Sequence, residues 1–177
     1  MRSAVPLSRW ILFWTIALGG AAFDLATKAA IFRSVGPPGS PPVQIVHDIL
    51  ELRTSHNPGA LWGFGRSMPY SSLVFAGLSV VAAAAIVYWL FIKGHATDRR
   101  LTVALALIMA GALGNCYDRI RLGYVRDFVY FHVDAINFDC AIFNFADNML
   151  VVGACLLMLL ALRPEEPVPA EAAELVA

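Results

Sequence analysis

Asp147 is the residue of this sequence that is hardest to account for without chemistry. It lies six residues into an otherwise apolar stretch, 141–162, and an ionisable group at a bilayer centre costs about 2.5–3.5 kcal/mol on insertion scales. Asn144 precedes it by three residues, and Asn148 joins that face of a helix. Two further polar sets sit in apolar stretches. Asp24 and Lys28 are four apart, as are Asn115 and Arg119, with Asp118 between the latter two; that spacing puts each pair on one helical face. A carboxyl held out of water can act as a general acid or base. The bland alternatives are specific too. Asp24 and Lys28 could form a simple intrahelical ion pair, and Asn115 could merely bond a neighbouring helix. A lone Arg119 would be expected to snorkel to the interface, with Asp118 interfacial and structural. Asp134 and Asp139 read as solvated loop charges. Asp127, between Arg126 and Phe128 in what reads as a short loop, would count for little alone.

Other chemistries find no support. The four histidines are scattered without H-E-x-x-H spacing, and Ser71 and Ser72 lack a G-x-S-x-G setting. Cys116, Cys140 and Cys155 show no C-x-x-C spacing, so no zinc site, metal or cofactor is expected. Lysine plus arginine equal aspartate plus glutamate at 13 each, and no basic surface argues for nucleic acid.

The elements that must position these residues are membrane helices. Of the 177 residues, 59% are hydrophobic and 15% charged, against about 25% charged in soluble domains. A spanning helix needs about 20 mainly apolar residues, and four stretches qualify: Trp10 to Phe32, Ser71 to Ile92, Leu101 to Arg119, and Ala141 to Leu162. The first carries Arg2 and Arg9 ahead of an apolar run, as a leader does; its continuation to Phe32 predicts an uncleaved helix. Arg2, Arg9, Lys93, Arg99, Arg100 and Arg163 place both termini in the cytoplasm by the positive-inside rule, with Trp10, Trp14 and Trp89 at inner ends and Trp62 and Tyr70 at outer ones.

On that topology Asp24, Lys28, Asn115, Arg119 and Asp147 all fall toward the outer leaflet, with Asp147 about 9 Å deep at 1.5 Å per residue. The inner halves are apolar, which weighs against a transporter, whose polar groups would lie at the midplane. A non-enzymatic scaffold, with Asp147 paired to Arg119, is the other rival class. The connection 36–69 is turn-rich at first. Val43–Val46 and Ile49–Arg53 then predict a small antiparallel sheet on the outer surface. Residues 1–163 thus form one four-helix domain, and the Pro-, Glu- and Ala-rich tail 164–177 is expected to be disordered.

Four blocks in order carry a resemblance. They are Phe23-Asp24-Leu25-Ala26-Thr27-Lys28, then His56-Asn57-Pro58-Gly59-Ala60-Leu61-Trp62-Gly63, then Gly111 to Arg119 followed by Gly123-Tyr124-Val125-Arg126-Asp127-Phe128, and finally Phe143-Asn144-Phe145-Ala146-Asp147. With them the chain resembles the lipoprotein signal peptidases, or signal peptidase II, membrane aspartic peptidases of bacteria. Three positions depart from the family pattern: Leu61, Arg126 before Asp127, and Asn148 after Asp147. The resemblance implies a catalytic pair, Asp127 and Asp147. It implies Asp24, Lys28, Asn57, Gly59, Asn115, Arg119 and Asn144 as supporting or substrate-binding residues. It also implies a monomer in the inner membrane, working among membrane lipids. The implied substrate is a prolipoprotein with a diacylglyceryl-bearing cysteine, cut just before that cysteine.

Overall fold

The computed structural model describes residues 5–59, 64–65 and 67–162. Four helices run through it: α1 (Leu7–Ser34), α2 (Ser71–Val87), α3 (Arg99–Leu122) and α4 (Phe145–Ala161). A π-helical turn, Tyr88–Ile92, extends α2. Four strands complete the fold: β1 (Val43–Val46), β2 (Leu50–Asn57), β3 (Val125–Val133) and β4 (Phe138–Asp139). They make one sheet in the order β1-β2-β3-β4, antiparallel throughout. The sheet joins the end of α1 to α2 and the end of α3 to α4, so it sits at one end of the bundle.

Helix α3 is the axis of that bundle. Two thirds of its apolar window is buried (67%), against 22% for α1 and 11% for α2. Its buried face is built from small residues, including Ala104, Ala106, Ala110, Gly111 and Gly114, which let neighbouring backbones approach closely, as membrane helices require. Asp98 caps its start by accepting from the Arg100 N–H, and Gly123 ends it at φ 82°, a left-handed conformation that glycine adopts at no steric cost. At the far end from the sheet, Phe13, Leu90, Phe91, Leu105 and Met109 form the apolar core. Trp10, expected as an interfacial residue, stacks on Phe91 with centroids 3.8 Å apart.

Three expectations change. The fourth apolar stretch starts its helix at Phe145, not Ala141, because Phe143 is drawn into an extended bridge with Val129 and Asn144 caps the helix. At 17 residues, α4 is about 26 Å long, just short of a bilayer core of about 30 Å. α1, the α2 segment and α3 are each long and apolar enough to cross. The outer-loop sheet is also larger than two strands. β2 runs on to Asn57, and the connection between α3 and α4, read as a short loop, supplies β3 and β4. Trp62, the Ala60–Gly63 part of the loop block, Arg163 and the tail 164–177 lie outside the described residues.

Gly111 sets the spacing between α3 and α4. A Cβ on Gly111 would collide with the Ala146 carbonyl and lie 2.7 Å from Leu150 Cγ, whereas one on Gly19 would meet nothing within 4 Å. G111A should therefore destabilise the purified protein by about 1–3 kcal/mol, read as a lower Tm in detergent, while G19A leaves it in place. Equal melting of the two variants would contradict this packing.

Candidate active site

Strand β3 and the start of α4 bring two acids together. β2 and β3 pair antiparallel with Ser55 opposite Asp127 and Asn57 opposite Val125. Alternation along the strand then turns Val125 and Asp127 into the protein, each 2% exposed. Asp147 occupies the third position of α4 and closes a reciprocal capping box. The Asn144 side chain accepts from the Asp147 N–H at 3.0 Å, and the Asp147 carboxylate accepts from the Asn144 N–H at 3.1 Å. Such a box satisfies two of the otherwise orphaned donors at a helix start, and the positive end of the helix dipole favours an acid there.

Asn144 also links the two carboxyls. Its Nδ2 donates to Asp127 Oδ1 at 2.6 Å and to Asn115 Oδ1 at 3.2 Å. Asn57 Nδ2 donates to Asp127 Oδ2 at 3.1 Å, and Asn115 Nδ2 donates to Asp147 Oδ1 at 2.8 Å. Each of the four carboxyl oxygens thus accepts an N–H. Burial pushes Asp127 up to about 7, with the nearby Asp147 carboxylate adding to the rise. The hydrogen bonds from Asn144 and Asn57, and the Lys28 charge, work against it.

Behind the asparagines lies a sealed cluster of charge. Lys28 Nζ is 2.7 Å from Asp24 Oδ2 and 3.5 Å from Asp118 Oδ2, all three side chains being fully buried. It also donates to Asn115 Oδ1 at 2.9 Å. Asp24 Oδ1 in turn accepts from the Ala146 N–H at 2.9 Å, fastening α1 to the first turn of α4. Arg119 is buried and donates to the Gly59 carbonyl at 3.1 Å, while the Gly59 N–H returns to Asn57 Oδ1 at 3.0 Å. That loop is therefore held by α3 at one atom and by an asparagine bonded to Asp127 at the next.

All nine residues singled out from the sequence fall in this one network. The structure revises how they get there. Asp147 lies in the first turn of α4 rather than six residues into it, and Asp127 is on an inner strand rather than in a loop. Arg119 does not snorkel, since the Gly59 carbonyl and the Phe75 ring hold it inside. Asp118 is held in the same cluster. It is fully buried and accepts from Arg126 Nη2 at 2.7 Å and from the Arg126 N–H at 3.1 Å. This role of Arg126 was not legible in the sequence, because the two charges lie on different elements, α3 and β3. Asp139 is exposed on β4, and the side chain of Asp134 lies outside the described residues. Among the described residues no three His, Cys, Asp or Glu side chains converge as a metal centre requires.

The overall fold is also found in solved structures. Solved structures of a bacterial membrane enzyme, determined by the in meso method at 2.3 Å and 1.9 Å resolution, superpose on this chain with a TM-score of 0.75. Both are 29% identical to it; the first covers 96% of this chain and 99% of its own. A lipoprotein signal peptidase of Rhodopirellula baltica is 38% identical, over 88% of this chain and 74% of that protein. One from Anaeromyxobacter sp. is 36% identical over 90% and 88%, respectively. The family model for signal peptidase (SPase) II matches residues 16–163. The chain belongs to the signal peptidase II family.

The raised Asp127 has a consequence for stability. An unfolded aspartate titrates near 3.9, so the folded protein binds this proton more tightly than the unfolded chain. The resulting stabilisation is complete below about pH 4 and is lost as pH rises through about 7. D127N, which cannot titrate there, should gain on the parent by up to a few kcal/mol across that window. Thermal melts of both proteins in detergent from pH 4 to pH 8 provide the check, and parallel curves would refute it.

Proposed function

We propose that Asp127 and Asp147 are the catalytic pair of an aspartic endopeptidase that removes the signal peptide from diacylglyceryl-modified prolipoproteins, cutting before the lipidated cysteine. Membership of the signal peptidase II family makes the protein a prolipoprotein-processing peptidase; the assignment of the two acids is the further step. One observation carries it. A single side chain, Asn144, hydrogen-bonds Asp127 with its amide nitrogen and the Asp147 N–H with its oxygen, which holds the two carboxyls in one site.

The chemistry follows from that closeness. Two adjacent carboxyls cannot both ionise cheaply, so they share one proton. The ionised partner takes a proton from water, which attacks the scissile carbonyl. The protonated partner donates a hydrogen bond to the carbonyl oxygen and then supports departure of the amine. The asparagine N–H groups hold both acids in place without contributing a competing charge. Positioning of this kind is worth several kcal/mol of the barrier.

The substrate suits the surroundings. An apolar groove of about 360 Å³ opens beside Asp147, lined by Phe131, Phe138, Phe143 and Val151. A second, of about 440 Å³, lies across Phe143 and Asn148, between α1 and the sheet. Acyl chains resting there would hold the scissile bond at the acids. The lysine and arginine of the connections support a topology with the termini in the cytoplasm and the sheet end at the outer face of the bacterial inner membrane. The protein works there as a monomer.

Cleavage of a lipidated prolipoprotein in detergent tests the pair. D127N and D147N should each lose at least about 100-fold in kcat, within the range for removing a general acid or base. Strong chelators should leave the parent enzyme unaffected. Activity should also decline as pH rises through about 7, where the shared proton is lost. Near-normal cleavage by either variant would overturn the proposal.

A further inference from the structure

Arg126 lies next to Asp127 in the sequence, yet its side chain serves another acid. Alternation along β3 sends it to the face opposite Asp127, where it meets Asp118 of α3. Its Nη2 is 2.7 Å from Asp118 Oδ1, and its Nε is 3.2 Å from both oxygens. Asp118 is fully buried while Arg126 is 16% exposed, so the guanidinium closes the cluster from outside. Asp118 has a second cation within reach, Lys28 Nζ at 3.5 Å. Lys28, however, is engaged more closely elsewhere, with Asp24 at 2.7 Å and Asn115 Oδ1 at 2.9 Å.

These distances describe a division of labour. A buried carboxylate requires a partner, and removing that partner leaves an uncompensated charge. With Arg126 in place, Asp118 is satisfied and Lys28 remains with Asn115. The ammonium and the Asn144 amide both donate to Asn115 Oδ1, which turns Asn115 Nδ2 toward Asp147. Without the Arg126 guanidinium, Asp118 keeps the N–H of residue 126, and Lys28 is the cation already within 4 Å that can move onto it.

We infer that Arg126 is a positioning residue: by occupying Asp118 it keeps Lys28 on Asn115, and through Asn115 it sets the orientation of Asp147. The inference rests on the proposed Asp127–Asp147 pair. Arg126 touches neither acid through its side chain. Its effect on Asp147 travels through Asp118, Lys28 and Asn115, each step a contact given above.

The experiment is a set of steady-state measurements with a lipidated prolipoprotein in detergent, well below the melting temperature, on R126L, R126K, D118N and the double variant D118N/R126L. R126L should lose about 10- to 100-fold in kcat, the scale of a misplacement of about 1 Å at a reacting group, with KM little changed. R126K, which keeps the charge, should recover most of that loss. D118N/R126L should exceed R126L in kcat, because no carboxylate remains to draw Lys28 away. If R126L does not fold, the double variant carries the same comparison against D118N. Under the inference it cleaves at about the D118N rate, and an inactive double variant overturns it. A purely structural partner would lower the Tm of R126L and leave kcat per folded molecule unchanged, which would also overturn it. So would a rise in KM alone, the mark of a substrate contact. D127N and D147N run beside these separate the two claims. Active aspartate variants would bring down the catalytic pair and this inference with it, whereas inactive ones beside a fully active R126L would bring down the role of Arg126 alone.

Discussion

The amide of Asn144 can reach Asp127, Asn115 and the Asp147 N–H together only if β3, α3 and the start of α4 meet at one point. Much of the structure serves that meeting. Small residues on α3 let α4 approach, and the carbonyl of Ala146 comes against Gly111. Phe143 is held extended by its bridge to Val129, so the α4 helix cannot begin before Asn144. The sheet then places Asp127 opposite Ser55, with Asn57 close enough to bond it. Each acid is fixed by elements distant in sequence, and a shift in any of them would be felt at the others. The interior is close-packed and transmits such strain rather than absorbing it.

Charge imposes the second constraint. Asp24, Asp118, Asp127 and Asp147 all lie in or beside the bundle, where unpaired charge is costly. Lys28 and Arg126 offset Asp24 and Asp118. Arg119 lies within electrostatic reach of Asp147 and Asp127, and its single charge balances the pair when that pair holds one proton. The proton demanded by close carboxyls is therefore also the one that leaves the cluster neutral. That neutrality is consistent with so polar a cluster persisting among membrane helices.

The sequence was most legible where a residue stood out from its local solvent. Asp24, Lys28, Asn115 and Arg119 are polar groups in apolar helices, and they converge as their spacing implied. Asp147 stood out for a partly mistaken reason. Hydropathy reads 141–162 as one run, but backbone pairing takes its first residues into the sheet and leaves the acid in a capping turn. Asp127 was legible only through resemblance to a family, because its inward orientation depends on a partner strand about 70 residues away. The β3 segment did carry a local signal in Val125, Val129 and Val133 with Phe128, Tyr130 and Phe131, of the kind that marks strands. Its loop position between two helices masked it. The Arg126–Asp118 pair was not legible, since two charges on different elements declare a contact only once the elements are placed.

Whether the proposed pair, Asp127 and Asp147, acts on one reacting centre can be seen in a structure of the enzyme with a lipidated prolipoprotein analogue in which the scissile peptide is replaced by a hydroxyl-bearing isostere. The hydroxyl should lie within about 3 Å of a carboxyl oxygen of both acids, in hydrogen-bonding range. A hydroxyl bound beside one acid and beyond reach of the other would contradict the pair.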